Sequence, residues 1–289
     1  MTVAACLQDV LQVLTSAGFS PAHAIRDASA IGRAILGWDQ ARWLTSLHAP
    51  APNGFSQTFL CAAARRARRE PVAYIVGERE FYGRAFEVTP EVLVPRPETE
   101  VVIDAARHYA GALATRPGGL HVLDVGTGSG CLAVTLACEW PTATITATDT
   151  SRAALQVAAR NAGRHGVVSR VAWVETSLTG GRSGDVDLLV SNPPYIAETD
   201  GASLPTDVVE YEPHAALFGG HDGLDVIRAL LPAAFTALRP GGWLIMEIGL
   251  GQETRVRALL GEASLQWIET QPDLAGIPRV IVATRPGLL

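Results

Sequence analysis

The sequence predicts an α/β fold: a mainly parallel sheet with helices on both faces, preceded by a small helical bundle. Three observations predict it. From residue 121 onward, short runs of β-branched and apolar residues alternate with helical stretches. The first of those runs ends in a glycine-rich turn, Gly126-Thr127-Gly128-Ser129-Gly130, that opens a helix. The first seventy or so residues carry apolar side chains at helical spacing instead.

In the N-terminal part, Val3, Leu7, Val10, Leu11 and Leu14 share one helical face. Gly18 and Pro21 interrupt it, and Ile25, Ile31, Ala34, Ile35 and Leu36 restart it. A third helix is expected over 56–69, ended by Pro71. The segment 81–88 sets aromatic and β-branched residues around Gly83, which suits a hairpin, and 92–94 could pair with it. Pro95 and Pro97 fix a stiff turn before a helix that begins near Glu98 or Thr99. The strands expected after that are 121–125, 144–148, 171–175, 186–191, 243–248 and 280–284. Residues 197–223 make a long loop, a length more often functional than accidental.

At 289 residues, the chain has room for one large domain and one small one. A net charge of −6 argues against a broad nucleic-acid footprint, so no stable nucleic-acid partner is expected. No apolar run reaches the roughly 18 residues of a membrane span. Residues 1–19 lack a basic start and are interrupted by Gln8, Asp9 and Gln12, so they do not read as a signal peptide. Cys6, Cys61, Cys131 and Cys138 form no CxxC pair and suggest neither a disulfide framework nor a metal site. A reducing cytoplasm is the simplest setting.

The glycine turn follows Asp124 at the end of its strand, and Asp149 ends the next strand. The spacing is GxGxG, unlike the dinucleotide fingerprint GxGxxG. Asp149 can accept hydrogen bonds from ribose hydroxyls, or cap the helix that starts at Ser151. Asp124 can meet a cofactor's amino group, directly or through water, or cap the turn. Such a turn is also compatible with a tight connection that holds no ligand. S-adenosylmethionine (AdoMet) needs backbone donors, a ribose-binding acid and an acceptor near its ammonium group, and this arrangement offers them.

Asn192-Pro193-Pro194-Tyr195 closes the fourth of the expected strands. A planar amide or exocyclic amine nitrogen has a delocalised lone pair and is a poor nucleophile. The Asn192 side-chain oxygen and the Pro193 backbone oxygen can accept its two N–H bonds, hold it in line with a methyl donor and favour the developing charge. The Tyr195 ring can pack on the planar group. The alternative is a rigid turn with an Asn cap and a buried Tyr.

The glycine turn with Asp149 resembles the class I, Rossmann-like AdoMet-dependent methyltransferases, whose sheet has seven strands, one of them antiparallel. Pro71-Val72-Ala73-Tyr74-Ile75-Val76-Gly77, Glu80-Phe81-Tyr82, Val94-Pro95-Arg96-Pro97-Glu98-Thr99-Glu100, the Asn192 motif and Tyr211-Glu212-Pro213 make the resemblance narrower. Together they are similar to the protein-(glutamine-N5) methyltransferases that modify class I peptide-chain release factors. The likeness runs from about 71 to 248. It implies a helical substrate-recognition domain over 1–75, a hairpin linker over 76–97 and a methyltransferase domain over 98–289. It also implies AdoMet held by Gly126, Thr127, Gly128, Ser129, Gly130 and Asp149, with Asn192 touching both cofactor and glutamine. Pro193, Pro194 and Tyr195 complete the substrate clamp. Arg96 and Glu98 either contact the ligand or form an ion pair that orders their turn. Near the adenine many family members carry an acid where this chain has Ser177; either the Ser177 hydroxyl contacts the adenine amino group, or a backbone group does so and Leu178 packs against the ring. Rival readings are a glutamine methyltransferase acting on a ribosomal protein, an adenine-N6 methyltransferase acting on nucleic acid, and a binding protein that keeps AdoMet but has lost activity.

Arg65, Arg66, Arg68 and Arg69 read either as a solvated helix end or as a docking surface for an acidic partner or RNA. Cys131 and Cys138 lie at helical spacing and are expected in the core. His214 and His221 lack a metal partner at ligand spacing. Glu210 and Glu212 either line a substrate entrance or order the long loop.

Overall fold

A computed structural model describes residues 1–116 and 118–287 and divides the chain into two compact units. The first comprises 1–78 together with 205–211, and the second comprises 79–204 and 212–289.

The first unit is helical: α1 (Val3–Ser16), α2 (Pro21–Leu36), α3 (Gln40–Thr45), α4 (Phe55–Ala67) and α5 (Val72–Val76). Thr2 and Ser20 cap the first two helices by accepting from the backbone N–H three residues on. Val10, Leu14, Ile31, Trp43 and Phe59 fill the core. Gly32 lies where Trp43 crosses α2, and a Cβ there would fall 2.5 Å from the indole. The helices α3 and α5 were not expected. They have six and five residues, too short for an apolar period to show.

The arginine cluster is not a solvated helix end. Arg66 is buried, and its Nε donates to Asp27 Oδ2 at 2.8 Å. Arg65 forks onto Glu70. The Arg69 guanidinium stacks on Phe19 at 4.1 Å and donates to the Ala17 carbonyl. Asp207, from the segment that joins this unit late in the chain, reaches Arg66 at 3.5 Å.

A hairpin begins at the last residue of the first stretch and runs into the second unit, β1 (Glu78–Phe81) and β2 (Arg84–Glu87), and its turn places Tyr82 and Gly83 at positive φ. Residues 92–94 do not extend it. Instead the Val94 N–H donates to Glu212 Oε2. A 3-10 turn, Pro97–Thr99, leads into α6 (Glu100–Ala110). Then come β3 (His121–Val125), α7 (Cys131–Glu139), β4 (Thr144–Asp149), α8 (Arg152–Arg164), β5 (Val171–Glu175) and β6 (Val186–Ser191). The expected long loop contains a 3-10 turn, Glu198–Ser203, then α9 (Thr206–Tyr211) and α10 (His214–Leu217). The chain ends with α11 (Asp225–Ala237), β7 (Leu238–Glu247), α12 (Glu253–Glu262), β8 (Gln266–Pro272) and β9 (Pro278–Thr284).

The seven-stranded sheet has the order β5-β4-β3-β6-β7-β9-β8, parallel except for β9. This is the α/β, Rossmann-like class expected, with its single antiparallel strand. Side chains alternate across it. Val122, Leu188, Val190 and Ile245 face α6 and α7, while Leu123, Leu189, Leu244 and Met246 face α11 and α12. The strand missing from the sequence reading is β8. It is one of the two edge strands, half-exposed along most of its length, and carries no clear apolar alternation. Among the described residues, no helix is long and apolar enough to cross a membrane.

The Arg66–Asp27 pair carries a stability prediction. Removing Arg66 leaves the buried Asp27 with only the exposed Arg26 guanidinium, 3.2 Å from Oδ1, and Oδ2 without its donor, so Arg66→Met should cost about 3 kcal/mol. The exposed Arg68→Met should cost less than about 0.5 kcal/mol. Urea denaturation of the two variants measures both, and equal midpoints would contradict the assignment.

Candidate active site

The strand order reverses direction of growth at β3, with β4 on one side and β6 on the other. Open α/β sheets bind ligands at the carboxyl ends of the strands around such a point. A cavity of about 480 Å³ lies there. Its walls include Gly126, Thr127, Gly128 and Ser129 after β3, Asp149 at the end of β4, Ser177 and Leu178 after β5, and Asn192 and Pro194 after β6.

The glycine turn gives the cavity contour rather than donors. The Gly126 and Thr127 N–H groups both donate to the Thr148 carbonyl, and the Gly128 N–H donates to Asp149 Oδ2 at 2.9 Å. Gly126 and Gly128 have φ of +72° and +53°, and a Cβ on either would meet open space. Gly130 serves packing, because its Cβ would fall 2.9 Å from that of Ala158 on α8. It does not line the cavity.

Asp149 uses both oxygens: Oδ1 accepts from the Ser151 N–H at 2.9 Å and Oδ2 from Gly128. Each retains accepting capacity toward the cavity it borders. The cap of α8 is Ser151 itself, which accepts from the Ala154 N–H. Asp124 is buried and does not line the cavity. Its Oδ2 accepts from Thr127 Oγ1 at 2.6 Å and from the Ala133 N–H at 3.1 Å, a turn-capping role. Its Oδ1 is buried without a partner among the protein atoms. Leu178 adopts φ +52°, uncommon for a branched side chain, while its carbonyl accepts from Thr148 Oγ1 at 2.8 Å. Glu175, the nearest acid on β5, pairs with Arg152 outside the cavity.

In the Asn192 motif, Asn192 and Pro194 reach the cavity, whereas Pro193 is buried and Tyr195 faces elsewhere. The Tyr195 hydroxyl donates to Glu247 Oε1 at 3.0 Å, and its ring packs in the α11/α12 core. Its carbonyl accepts from Gln252 Nε2 at 2.8 Å. Asn192 Nδ2 donates to Thr99 Oγ1 at 3.0 Å, and Thr99 Oγ1 donates to Glu247 Oε2 at 2.6 Å.

Arg96 and Glu98 do not pair with each other. Arg96 binds Glu212, and Glu98 is exposed; neither lines the cavity. Glu212 therefore orders the loop by holding the 94–96 stretch, and Glu210 is exposed. Cys131 borders the cavity and burial pushes its thiol up to about 12, while Cys138 packs against the α6/α7 core. Among the described residues, no cluster of His, Cys, Asp and Glu could hold a metal ion.

Three supporting residues escaped the sequence reading. Thr99 and Glu247 are two. Glu247 had a legible signal, a carboxylate inside the apolar run of β7, which is rare without partners. The third is Asn161, fully buried on α8. Its carboxamide holds both backbone groups of Glu87 and the Ser129 carbonyl, tying the hairpin to the glycine turn.

Comparison with known proteins gives three kinds of likeness. Residues 102–211 match the Methyltransferase small domain family, and residues 5–77 match the PrmC N-terminal domain family. A release factor glutamine methyltransferase of Cereibacter sphaeroides is 44% identical over 99% of this chain and 100% of its own length. One of Koribacter versatilis is 45% identical over 78% of each chain. A crystal structure of a methyltransferase from Pyrococcus furiosus shares the fold, with a TM-score of 0.52 at 19% identity, covering 77% of this chain and 97% of that one.

Asp124 gives a pH prediction. Burial, with the nearby Asp149 charge, holds its carboxyl up at about 7. In the unfolded chain it titrates at about 3.9. Between those values the folded chain keeps a proton that the unfolded chain has lost, so stability falls as pH rises from about 4 to about 7. Asp124→Asn removes this slope. Its Tm should gain on the wild type as pH rises through the window and hold the gain above it. Melting curves across the window check this, and a pH-independent difference would contradict it.

Proposed function

The chain belongs to the release factor glutamine methyltransferases, and from that premise we propose that it transfers a methyl group from AdoMet to the side-chain amide nitrogen of the glutamine in a release factor's Gly-Gly-Gln motif. This reaction supports translation termination and is assigned to the cytoplasm. The observation that supports it most is the composition of a single cavity. The glycine turn and Asp149 border the same space as Asn192 and Pro194.

The residues fit the cofactor. Gly126 and Gly128 leave room that a Cβ would fill, and Asp149 offers acceptors suited to ribose hydroxyls. Ser177 and Leu178 supply a hydroxyl and an apolar surface on the side expected for the adenine. The unpartnered oxygen of Asp124 is the kind of atom that a ligand ammonium, or a water bridging to one, satisfies. When bound, AdoMet supplies an electrophilic methyl group on a sulfonium.

The chain's own groups then act on the glutamine. The Asn192 Oδ1 and the Pro193 carbonyl accept the two N–H bonds of the substrate amide. These acceptors orient the nitrogen and stabilise the positive charge that develops on it as the N–CH₃ bond replaces the S–CH₃ bond; the methylated amide then gives up one N–H proton to solvent, and S-adenosylhomocysteine is the other product. Pro194, Ala215 and Ala216 give that end an apolar wall, which limits water. Tyr195 serves as a strut between the motif and Glu247, and Arg96 holds the preceding turn through Glu212.

The test is incubation with labelled AdoMet and a release factor, beside a copy whose Gly-Gly-Gln glutamine is changed to alanine. Label on the first alone is expected. Label on neither would overturn the substrate assignment and direct the search to ribosomal proteins and nucleic acids. Asn192→Ala should lower kcat by roughly 10²- to 10³-fold. Asp149→Ala should weaken AdoMet binding by at least about tenfold in calorimetric titration, the loss expected for a charged hydrogen-bonding group. Unchanged affinity would remove Asp149 from the cofactor site.

A further inference from the structure

We propose that Glu247, acting through Thr99, fixes which end of the Asn192 carboxamide faces the cavity, making both positioning residues for methyl transfer. The proposal rests on the reading of Asn192 as the group that accepts from the substrate amide.

Glu247 accepts at both oxygens, from the Thr99 hydroxyl at Oε2 and from the Tyr195 hydroxyl at Oε1, although burial raises its pKa. The Thr99 hydroxyl has one hydrogen, and its oxygen lies 2.6 Å from Glu247 Oε2, so that hydrogen points to Glu247. The Thr99 oxygen is then left as an acceptor. Asn192 approaches it at 3.0 Å and must present a donor, which only its NH₂ end can do. The Oδ1 end is thereby turned away from Thr99 and kept free to accept.

Without this chain the carboxamide ends are nearly equal in shape, and a half-turn exchanges them. The reversed amide would oppose a donor with a donor when the substrate N–H arrives. A correct orientation is worth nothing unless it is held before the substrate binds.

The other oxygen of Glu247 is satisfied from the opposite side by the Tyr195 hydroxyl at 3.0 Å. One buried carboxylate thus receives a donor from the turn before α6 and another from the Asn192 motif itself. Its neighbours on β7 are Leu244, Ile245, Met246 and, beyond the strand, Ile248, all fully buried. An apolar residue at 247 would suit that surrounding at lower desolvation cost. The carboxyl group is explained by what it orients.

The test compares single-turnover methylation rates of the full chain with a release factor. Thr99→Val keeps the shape and removes the hydroxyl, and Glu247→Gln keeps the shape and removes one acceptor. Each should slow transfer by about 10- to 100-fold, the scale of a misplaced reacting group, with AdoMet affinity changed less than about threefold. Thr99→Ser should recover most of the rate. In an Asn192→Ala background, Thr99→Val should add no further loss, because its effect passes through Asn192. An unaffected Thr99→Val enzyme, an equal loss in both backgrounds, or a Thr99→Ser enzyme as slow as Thr99→Val would each overturn the proposal. If Glu247→Gln fails to fold, the Thr99 series decides alone. An Asn192→Ala enzyme with full rate would instead overturn the underlying reading of Asn192.

Discussion

The Asp149 carboxylate joins two strand ends that the backbone leaves separate. One oxygen takes the Gly128 N–H from the turn after β3, and the other takes the Ser151 N–H at the start of α8. Charge-assisted bonds of this type are the strong ones. The Gly126 and Thr127 N–H groups reach across to Thr148 on the same strand as Asp149. The floor of the cavity is therefore a stitched seam between β3 and β4, and the shape of the glycine turn depends on it. On the other flank, Ser191 Oγ donates to the Val125 carbonyl at 2.8 Å and fixes the end of β6 to the end of β3. Asn192 starts from that fixed point.

Much of this was legible because the central strands are written densely. The runs that became β3, β4 and β6 are rich in β-branched and apolar residues, and each carries at or next to its end a residue with hydrogen-bonding work to do: Asp124, Asp149 and Ser191. Of the two edge strands, β5 was legible and β8 was not, since β8 is half-exposed and mixed in composition. The site was readable where chemistry and local spacing coincide, as in the glycine turn and the Asn192 motif. It was unreadable where a role depends on a distant partner. Thr99 and Glu247 are 148 positions apart. Arg66 looked like one of four solvated arginines until Asp27, 39 positions away, was seen to hold it. Tyr195 looked free to stack on a substrate, but its hydroxyl is engaged by a carboxylate on β7.

Buried acids recur throughout the molecule and do different jobs. Asp27 neutralises a guanidinium in the helical unit, and Glu212 anchors the Arg96 turn. Asp124 caps the glycine turn with one oxygen, and Glu247 organises hydroxyls with both of its own. Each is costly to bury, and each is held by donors that give it a single geometry. A chain with few charged residues places several of them inside, where they fix loops that lack regular secondary structure.

The segment 205–211 belongs to the helical unit although the chain reaches it ten residues after Tyr195. The backbone thus crosses between units three times: after 78, after 204 and after 211. Asp207 and the Tyr211 hydroxyl, which donates to the Arg68 carbonyl at 2.6 Å, are that segment's holds on its host. The unit border is consequently not a place where this protein can be cut into working halves. A fragment ending near residue 78 would lack a piece of its own structure, and a fragment starting there would carry a strand of sequence folded for someone else. Any exchange of modules with another enzyme would have to move two stretches of gene together.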